Sequence, residues 1–156
     1  MRQALKNMKQ TILFLFLIFS SETFACPEFL GSWKSSKDDT LEFIERWAKI
    51  EPKSLDFIKQ VTGTMHTEYT KESMKITDES RQIEVNGKLV NWEGTKENVA
   101  FEVLGCTDDQ VVLKYDLFDQ DFITVLNFES ENMYWVYAGS PGFTGNAHYR
   151  EFFVRQ

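Results

Sequence analysis

Residues 111–137, VVLKYDLFDQDFITVLNFESENMYWVY, decide the fold class, because three runs rich in β-branched and aromatic residues are separated by short polar turns. Along the first run Val111 and Leu113 share one face, while Val112 and Lys114 share the other. This period of two predicts β-strands rather than helices. The turns lie at 119–121 and 129–132. Strands joined by such short turns predict an antiparallel up-and-down sheet.

The strand pattern extends in both directions from this stretch. Upstream, the dipeptide Asn86-Gly87 separates two short alternating runs, and it readily supplies the two positive φ angles of a type I′ hairpin turn. The other predicted strands are 31–35, 65–69, 74–76, 83–85, 88–92, 99–104 and 149–155. The chain is therefore predicted to be almost entirely β after its first third.

Two predicted helices follow the first strand. Asp39 and Glu42 form a capping-box pattern at the start of an amphipathic helix over 40–50. Pro52 opens a second short helix, which Gly63 ends. A sheet of this size has two exposed edges unless it closes on itself. The sequence therefore predicts a mainly β fold, an antiparallel up-and-down β-barrel of about ten strands with a two-helix lid between the first and second strands.

The first 25 residues predict an export signal. Residues 1–10 carry three basic and no acidic side chains, residues 12–19 are apolar, and Ala25 is a small residue suited to cleavage. These are the three parts of a secretory signal. The apolar run is about half of the ~20 residues that a transmembrane helix needs. We therefore expect a signal peptide over 1–25, one β-barrel domain over 26–156, no membrane span, and a periplasmic or secreted location.

The two cysteines, Cys26 and Cys106, allow two interpretations. An even count in an oxidising compartment favours a disulfide between them, which restrains the unfolded chain by roughly 4–5 kcal/mol. Alternatively, Cys26 is the first mature residue and carries a lipid anchor, which makes the protein an outer-membrane lipoprotein facing the periplasm. Neither cysteine lies in a CxxC pattern, which argues against redox catalysis and zinc binding.

The charge of the mature chain restricts its partners. Removing residues 1–25 takes away three basic residues and one acidic residue, so the formal charge changes from −7 to −9. Such a charge argues against nucleic acid and anionic membranes as partners.

The sequence contains no catalytic pattern. His66 is predicted on an outward face, and His148 has no acidic or cysteine residue at a metal-ligand spacing. Ser140-Pro141-Gly142 lacks the context of a nucleophile elbow. We therefore predict that the protein is not an enzyme and uses no metal and no cofactor.

A family resemblance rests on Phe29-Leu30-Gly31-Ser32-Trp33-Lys34, which is similar to the opening strand of the calycins. Gly31 and Trp33 match the Gly-x-Trp of lipocalins and fatty-acid-binding proteins. The order of one strand, two helices and then about nine strands resembles the fatty-acid-binding proteins, and secreted bacterial lipocalin-like proteins share the helical segment. The resemblance implies a barrel that holds a small hydrophobic molecule, with Gly31 and Trp33 in structural roles.

The resemblance also makes Arg150 a candidate, because Tyr149-Arg150-Glu151-Phe152 lies where the family carries Arg-x-Tyr. Phe152 replaces the tyrosine and the second arginine has no counterpart, which argues against carboxylate binding in the usual mode. Arg150 has two interpretations, as a ligand-binding residue and as the late arginine that lipocalins pack across the Gly-x-Trp indole.

Two functional hypotheses follow. The first is a carrier or sensor with a ligand in the barrel interior, bound by Arg150, Tyr115, Val125, Tyr134 and Trp135. The second is an envelope protein–protein interaction module of the inhibitor or immunity type. It would have a packed barrel and act through the 139–146 loop and exposed aromatic residues.

Overall fold

The computed structural model describes residues 25–138 and 148–156. The predicted export signal up to residue 24 and the 139–146 loop lie outside the described residues. The described elements are β1 (Gly31–Ser36), α1 (Lys37–Trp47), α2 (Pro52–Val61), β2 (His66–Tyr69), β3 (Ser73–Thr77), β4 (Arg81–Val85), β5 (Lys88–Trp92), β6 (Lys96–Cys106), β7 (Gln110–Leu117), β8 (Gln120–Ser130), β9 (Met133–Tyr137) and β10 (Arg150–Arg155).

Eight strands form a closed barrel in the order β1-β10-β9-β8-β7-β6-β3-β2, and each neighbouring pair is antiparallel. The prediction of a closed antiparallel barrel is confirmed, but the predicted count of about ten barrel strands is wrong. β3 pairs directly with β6, so β4 and β5 stand apart as their own hairpin. The residues of β5 are mostly exposed, because β5 pairs with β4 alone and lies outside the barrel.

Where the β4–β5 hairpin joins the barrel, the backbone segments at Asp78 and Thr95 lie close together. The N–H groups of Asp78 and Thr95 each donate to the other residue's carbonyl. Gly94 makes this approach possible, because a Cβ there would lie 2.1 Å from the carbonyl oxygen of Asp78. The Asp78 carboxylate also accepts hydrogen bonds from Arg81 (2.8 Å) and from Trp92 Nε1 (3.0 Å).

The helix pair lies between β1 and β2, as predicted. α1 begins earlier than expected, because Ser36 is the N-cap and accepts the N–H of Asp39, which places Asp39 inside the helix. α1 contacts β10, and α2 contacts β4. Among residues 25–138 and 148–156, no helix has the length and apolar character needed to cross a membrane.

The closed end of the barrel is the end covered by residues 25–30. Cys26 is joined to Cys106 there, so the predicted disulfide is confirmed and the Cys26 sulfur is not free to carry a lipid. Trp33 is fully buried and donates from Nε1 to the carbonyl of Phe29 (2.8 Å). Ten buried side chains form the core of the barrel: Phe29, Trp33, Tyr69, Met74, Ile76, Val111, Leu113, Leu126, Tyr134 and Phe153.

The opposite end, where β1, β3, β7 and β9 finish, is called the helix end. Both helices, the β4–β5 hairpin and the β7–β8 turn follow strands that finish there. A second apolar cluster joins the helices to the barrel rim through Ile44, Ile58 and Tyr149. The Tyr149 hydroxyl is hydrogen bonded to the Thr62 hydroxyl (3.1 Å). The interior therefore lies between two apolar clusters, one at each end.

Candidate functional site

The structure divides the predicted ligand-binding residues between the two sides of the barrel wall. Tyr115 and Tyr134 belong to the interior, where they contact the core. Val125 faces outward, because its neighbour Leu126 is fully buried in the core and side chains alternate along a strand. Its predicted place in the lining of the interior is therefore wrong. Trp135 also faces outward, on the side opposite to Tyr134.

Arg150 and Trp135 meet on the outer surface. The Arg150 guanidinium lies 3.8 Å from the Trp135 ring centroid and 4.8 Å from that of Phe43. Glu129 connects them, since it accepts a hydrogen bond from Trp135 Nε1 (3.0 Å) and lies 3.8 Å from Arg150. The ring of His148 lies 6.2 Å from that of Trp135. This exterior cluster is a cation–π arrangement beside α1, separate from the barrel interior.

The arginine that covers the Gly-x-Trp indole is Arg155 and not Arg150. Its guanidinium lies 4.3 Å from the Trp33 ring centroid. It donates to the carbonyls of Leu30 (2.9 Å), Glu131 (3.2 Å) and Glu28. The cause is strand register, because Arg155 is the direct partner of Trp33 across the β1–β10 ladder. Arg150, at the other end of β10, is too far along the strand to reach this indole.

A carboxyl group lies inside the barrel near the helix end. Glu151 has the same orientation as Phe153, two residues away on β10, and Phe153 is buried in the core. The Ser35 hydroxyl donates to Glu151 Oε1 (2.6 Å), and the same hydroxyl oxygen accepts the N–H of Gly63 (3.0 Å). Burial raises the pKa of Glu151, the hydrogen bond from Ser35 lowers it, and Asp78 raises it further, so the net direction is upward.

Three tyrosines belong to the same interior as this carboxyl group. The hydroxyls of Tyr69 and Tyr134 lie 3.4 Å apart, and that of Tyr115 is hydrogen bonded to Thr124 (3.0 Å). Burial raises the pKa of Tyr69 and of Tyr134 above the ordinary tyrosine value. Glu151 is close enough to Tyr134 to raise its pKa electrostatically. The hydroxyls of Tyr69 and Tyr134 are therefore neutral and can donate or accept hydrogen bonds.

The inner wall is not equally buried throughout. Val111 and Leu126, towards the closed end, are fully buried. Tyr115, Val136 and Glu151, towards the helix end, remain partly exposed although they face inward. The interior thus combines an apolar wall with an inward-facing acid and tyrosine hydroxyls. Within the described ranges, no three His, Cys, Asp or Glu side chains form a group that could hold a metal ion.

Sequence reasoning overlooked Glu151 and Ser35, although both lie in predicted strands. The signal was present, because alternation places Ser35 on the face of Trp33 and Glu151 on the face of Phe153. An acid at an inward position of a barrel strand is unusual, since carboxylates are rarely buried without a partner.

Comparison of the chain with family models, with curated proteins and with solved structures finds no match in any of the three.

Proposed function

We propose that this protein is an exported barrel that binds a small hydrophobic molecule in its interior, and that this molecule enters from the helix end. The observation that supports the proposal is the partly exposed inner wall formed by Tyr115, Val136 and Glu151. An eight-stranded barrel is wide enough either to be filled by side chains or to hold one small ligand. Val111 and Leu126 are fully buried whereas Tyr115 and Val136 are only partly buried, so we place the ligand at the helix end.

The positions of the helices support an entrance beside the β7–β8 turn. α1 contacts β10 and α2 contacts β4, and both lie on the other side of the barrel rim. At the β7–β8 side, Phe122 is 36% exposed and stacks on Tyr115 with ring centroids 5.7 Å apart. Phe118, in the turn itself, is 66% exposed. Exposed aromatic residues at a rim are typical of a site where an apolar ligand enters.

The test blocks the interior and uses the outer wall as its control. N-phenyl-1-naphthylamine, a neutral fluorophore that brightens in apolar surroundings, serves as the probe. We expect saturable binding to the wild-type protein and a loss of at least tenfold in affinity for Val136→Trp, because the indole would occupy the space. Val125→Trp makes the same change on the outer wall and should leave the affinity unchanged. Equal binding by both variants and the wild type, with circular dichroism showing intact folds, would refute interior binding.

The exterior cluster supports a second candidate function, the binding of a protein partner. Trp47 is 73% exposed and Tyr137 is 55% exposed, and both lie in the elements that carry this cluster. Tryptophan, tyrosine and arginine are the residues enriched in interface hot spots. A partner captured from an envelope extract should be lost with Trp47→Ala but retained with Val136→Trp. The reverse result would support the interior site instead.

A further inference from the structure

Glu151 is the most unusual group that the interior contains. It lies between the barrel core, which includes Phe153, and the helix-end cluster, which includes Tyr149. Its protein hydrogen-bond donor is the Ser35 hydroxyl. An ionised carboxylate has about four lone-pair sites, so one hydroxyl leaves most of its accepting capacity unused. Glu151 is partly exposed, so its carboxylate can accept further hydrogen bonds from a ligand in the interior.

No basic side chain of the described residues forms an ion pair with Glu151. Arg150 faces outward and Arg155 lies at the closed end. The titratable groups that act electrostatically with Glu151 are Tyr134, Tyr149 and Asp78, and none of them carries a positive charge. Arg81, the basic side chain next to Asp78 in this group, is ion paired with Asp78 (2.8 Å), so the Glu151 carboxylate is left to pair with a positive charge from a ligand.

Resting on the interior site proposed above, we propose that the ligand is a small apolar amine whose ammonium group pairs with the Glu151 carboxylate. The apolar part of the amine then lies along Val136 and Tyr115, and the neutral hydroxyl of Tyr134 can accept a hydrogen bond. A carboxylic acid would bring a second negative charge into the same space and is excluded by repulsion. The pairing requires no covalent step. If Glu151 is protonated in the free protein, that proton leaves to solvent when the ammonium binds.

A purely structural role for Glu151 is the competing explanation. The Ser35 hydroxyl donates to Glu151 and also accepts the N–H of Gly63, which connects β1 to the segment after α2. Glu151→Gln separates the two roles, because the amide oxygen can still accept from Ser35 while the negative charge is removed. A structural role predicts no change in ligand preference for this variant. Ammonium recognition predicts that the preference disappears.

The experiment compares octylamine, octanol and octanoate by isothermal titration calorimetry, because they share one chain and differ in the head group. For the wild-type protein we expect octylamine to bind at least tenfold more tightly than octanol, which corresponds to about 1.4 kcal/mol, and octanoate to bind more weakly than either. Glu151→Gln should reduce the difference between amine and alcohol to less than threefold. Glu102→Gln removes an exposed acid from β6 and should leave it unchanged.

The outcomes separate the two proposals. If the wild-type protein binds none of the three compounds and not the fluorophore, the interior site itself is wrong. If octanol or octanoate binds as tightly as octylamine, the site stands and the amine inference is overturned. If Glu151→Gln fails to fold, the relative affinities of the wild-type protein for octylamine, octanol and octanoate still test the amine inference.

Discussion

Replacement of Arg155 tests how the closed end is held together. Its guanidinium is the group that connects the last strand to the N-terminal segment, through the carbonyls of Leu30 and Glu28, and to the β8–β9 turn, through the carbonyl of Glu131. The same group covers the fully buried Trp33 ring at 4.3 Å. Arg155→Met keeps most of the apolar stem but removes the three donors and the charge.

The expected loss is about 3 kcal/mol of unfolding free energy. Hydrogen bonds from charged groups contribute about 1.5–3 kcal/mol each when buried, and two of these three lie near the surface, so the lower end applies. Contact with a desolvated indole contributes about 1–2 kcal/mol more, and the contributions overlap. For a domain of this size a loss of 3 kcal/mol lowers the melting temperature by about 10 °C. Arg155→Lys should lose about half as much, because an ammonium cannot bridge three carbonyls.

Urea unfolding followed by circular dichroism measures these differences, with the disulfide intact in every variant. Arg150→Met is the matched control, since Arg150 stacks on Trp135 at the outer surface and should cost less than about 1 kcal/mol. The reasoning is refuted if Arg155→Met costs less than about 1 kcal/mol, or if Arg150→Met costs as much as Arg155→Met. The second result would mean that Arg150 is the arginine that stabilises the closed end.

Three further predictions concern stability. Removing the Cys26–Cys106 disulfide, which spans 80 residues, should lower the unfolding free energy by about 4.5 kcal/mol. Urea unfolding of the variant with both cysteines replaced by serine measures this loss. A loss of less than about 1 kcal/mol would contradict the chain-entropy argument. Gly94→Ala should lower the unfolding free energy by about 1–3 kcal/mol, because the added Cβ would clash with the Asp78 carbonyl oxygen. Gly105→Ala is the control and should be nearly neutral, because a Cβ there would have no atom within 4 Å. Equal melting temperatures for the two variants would disprove this. Burial alone would raise the pKa of Asp78, but its hydrogen bonds from arginine, tryptophan and threonine side chains lower it, so this group stabilises the fold at neutral pH and loses that contribution as pH falls below about 4. In the Asp78→Asn variant the unfolding free energy should therefore fall less steeply as the pH is lowered below about 4. The same decrease in variant and wild type would contradict this role of Asp78.

The amino-acid sequence determined the fold class by local means. Alternation over 111–137 and the short turns between its runs specify antiparallel strands, because each depends only on neighbouring residues. The disulfide could also be inferred, since two cysteines allow a single intramolecular pairing. The helix pair after β1 could be predicted from Pro52 and Gly63, because helix start and stop signals also depend only on neighbouring residues.

The inward or outward direction of a strand was decided only by tertiary structure where both faces are apolar. In β8, Leu126 and Phe128 alternate with Ile123 and Val125, so both faces carry large apolar side chains, and it is the face of Leu126 that turns to the interior. The pairing of β8 with β7 sets this direction, and the hydroxyl of Thr124 is then bonded to that of an inward tyrosine. Alternation gives the period of a strand but not its absolute orientation.

Register across distant strands decided the remaining roles. Both Arg150 and Arg155 follow the β9–β10 connection, but only Arg155 is level with Trp33, which lies more than 100 residues away in the sequence. The same pairing brings Glu151 to Ser35 and so creates the buried acid on which the proposed ligand class depends. The sequence by itself thus determined the strands and the turns, because these depend on local periodicity and composition, and it favoured the cysteine pair over a lipid anchor. Only the closed barrel decided which acid and which arginine lie inside, because that depends on long-range register.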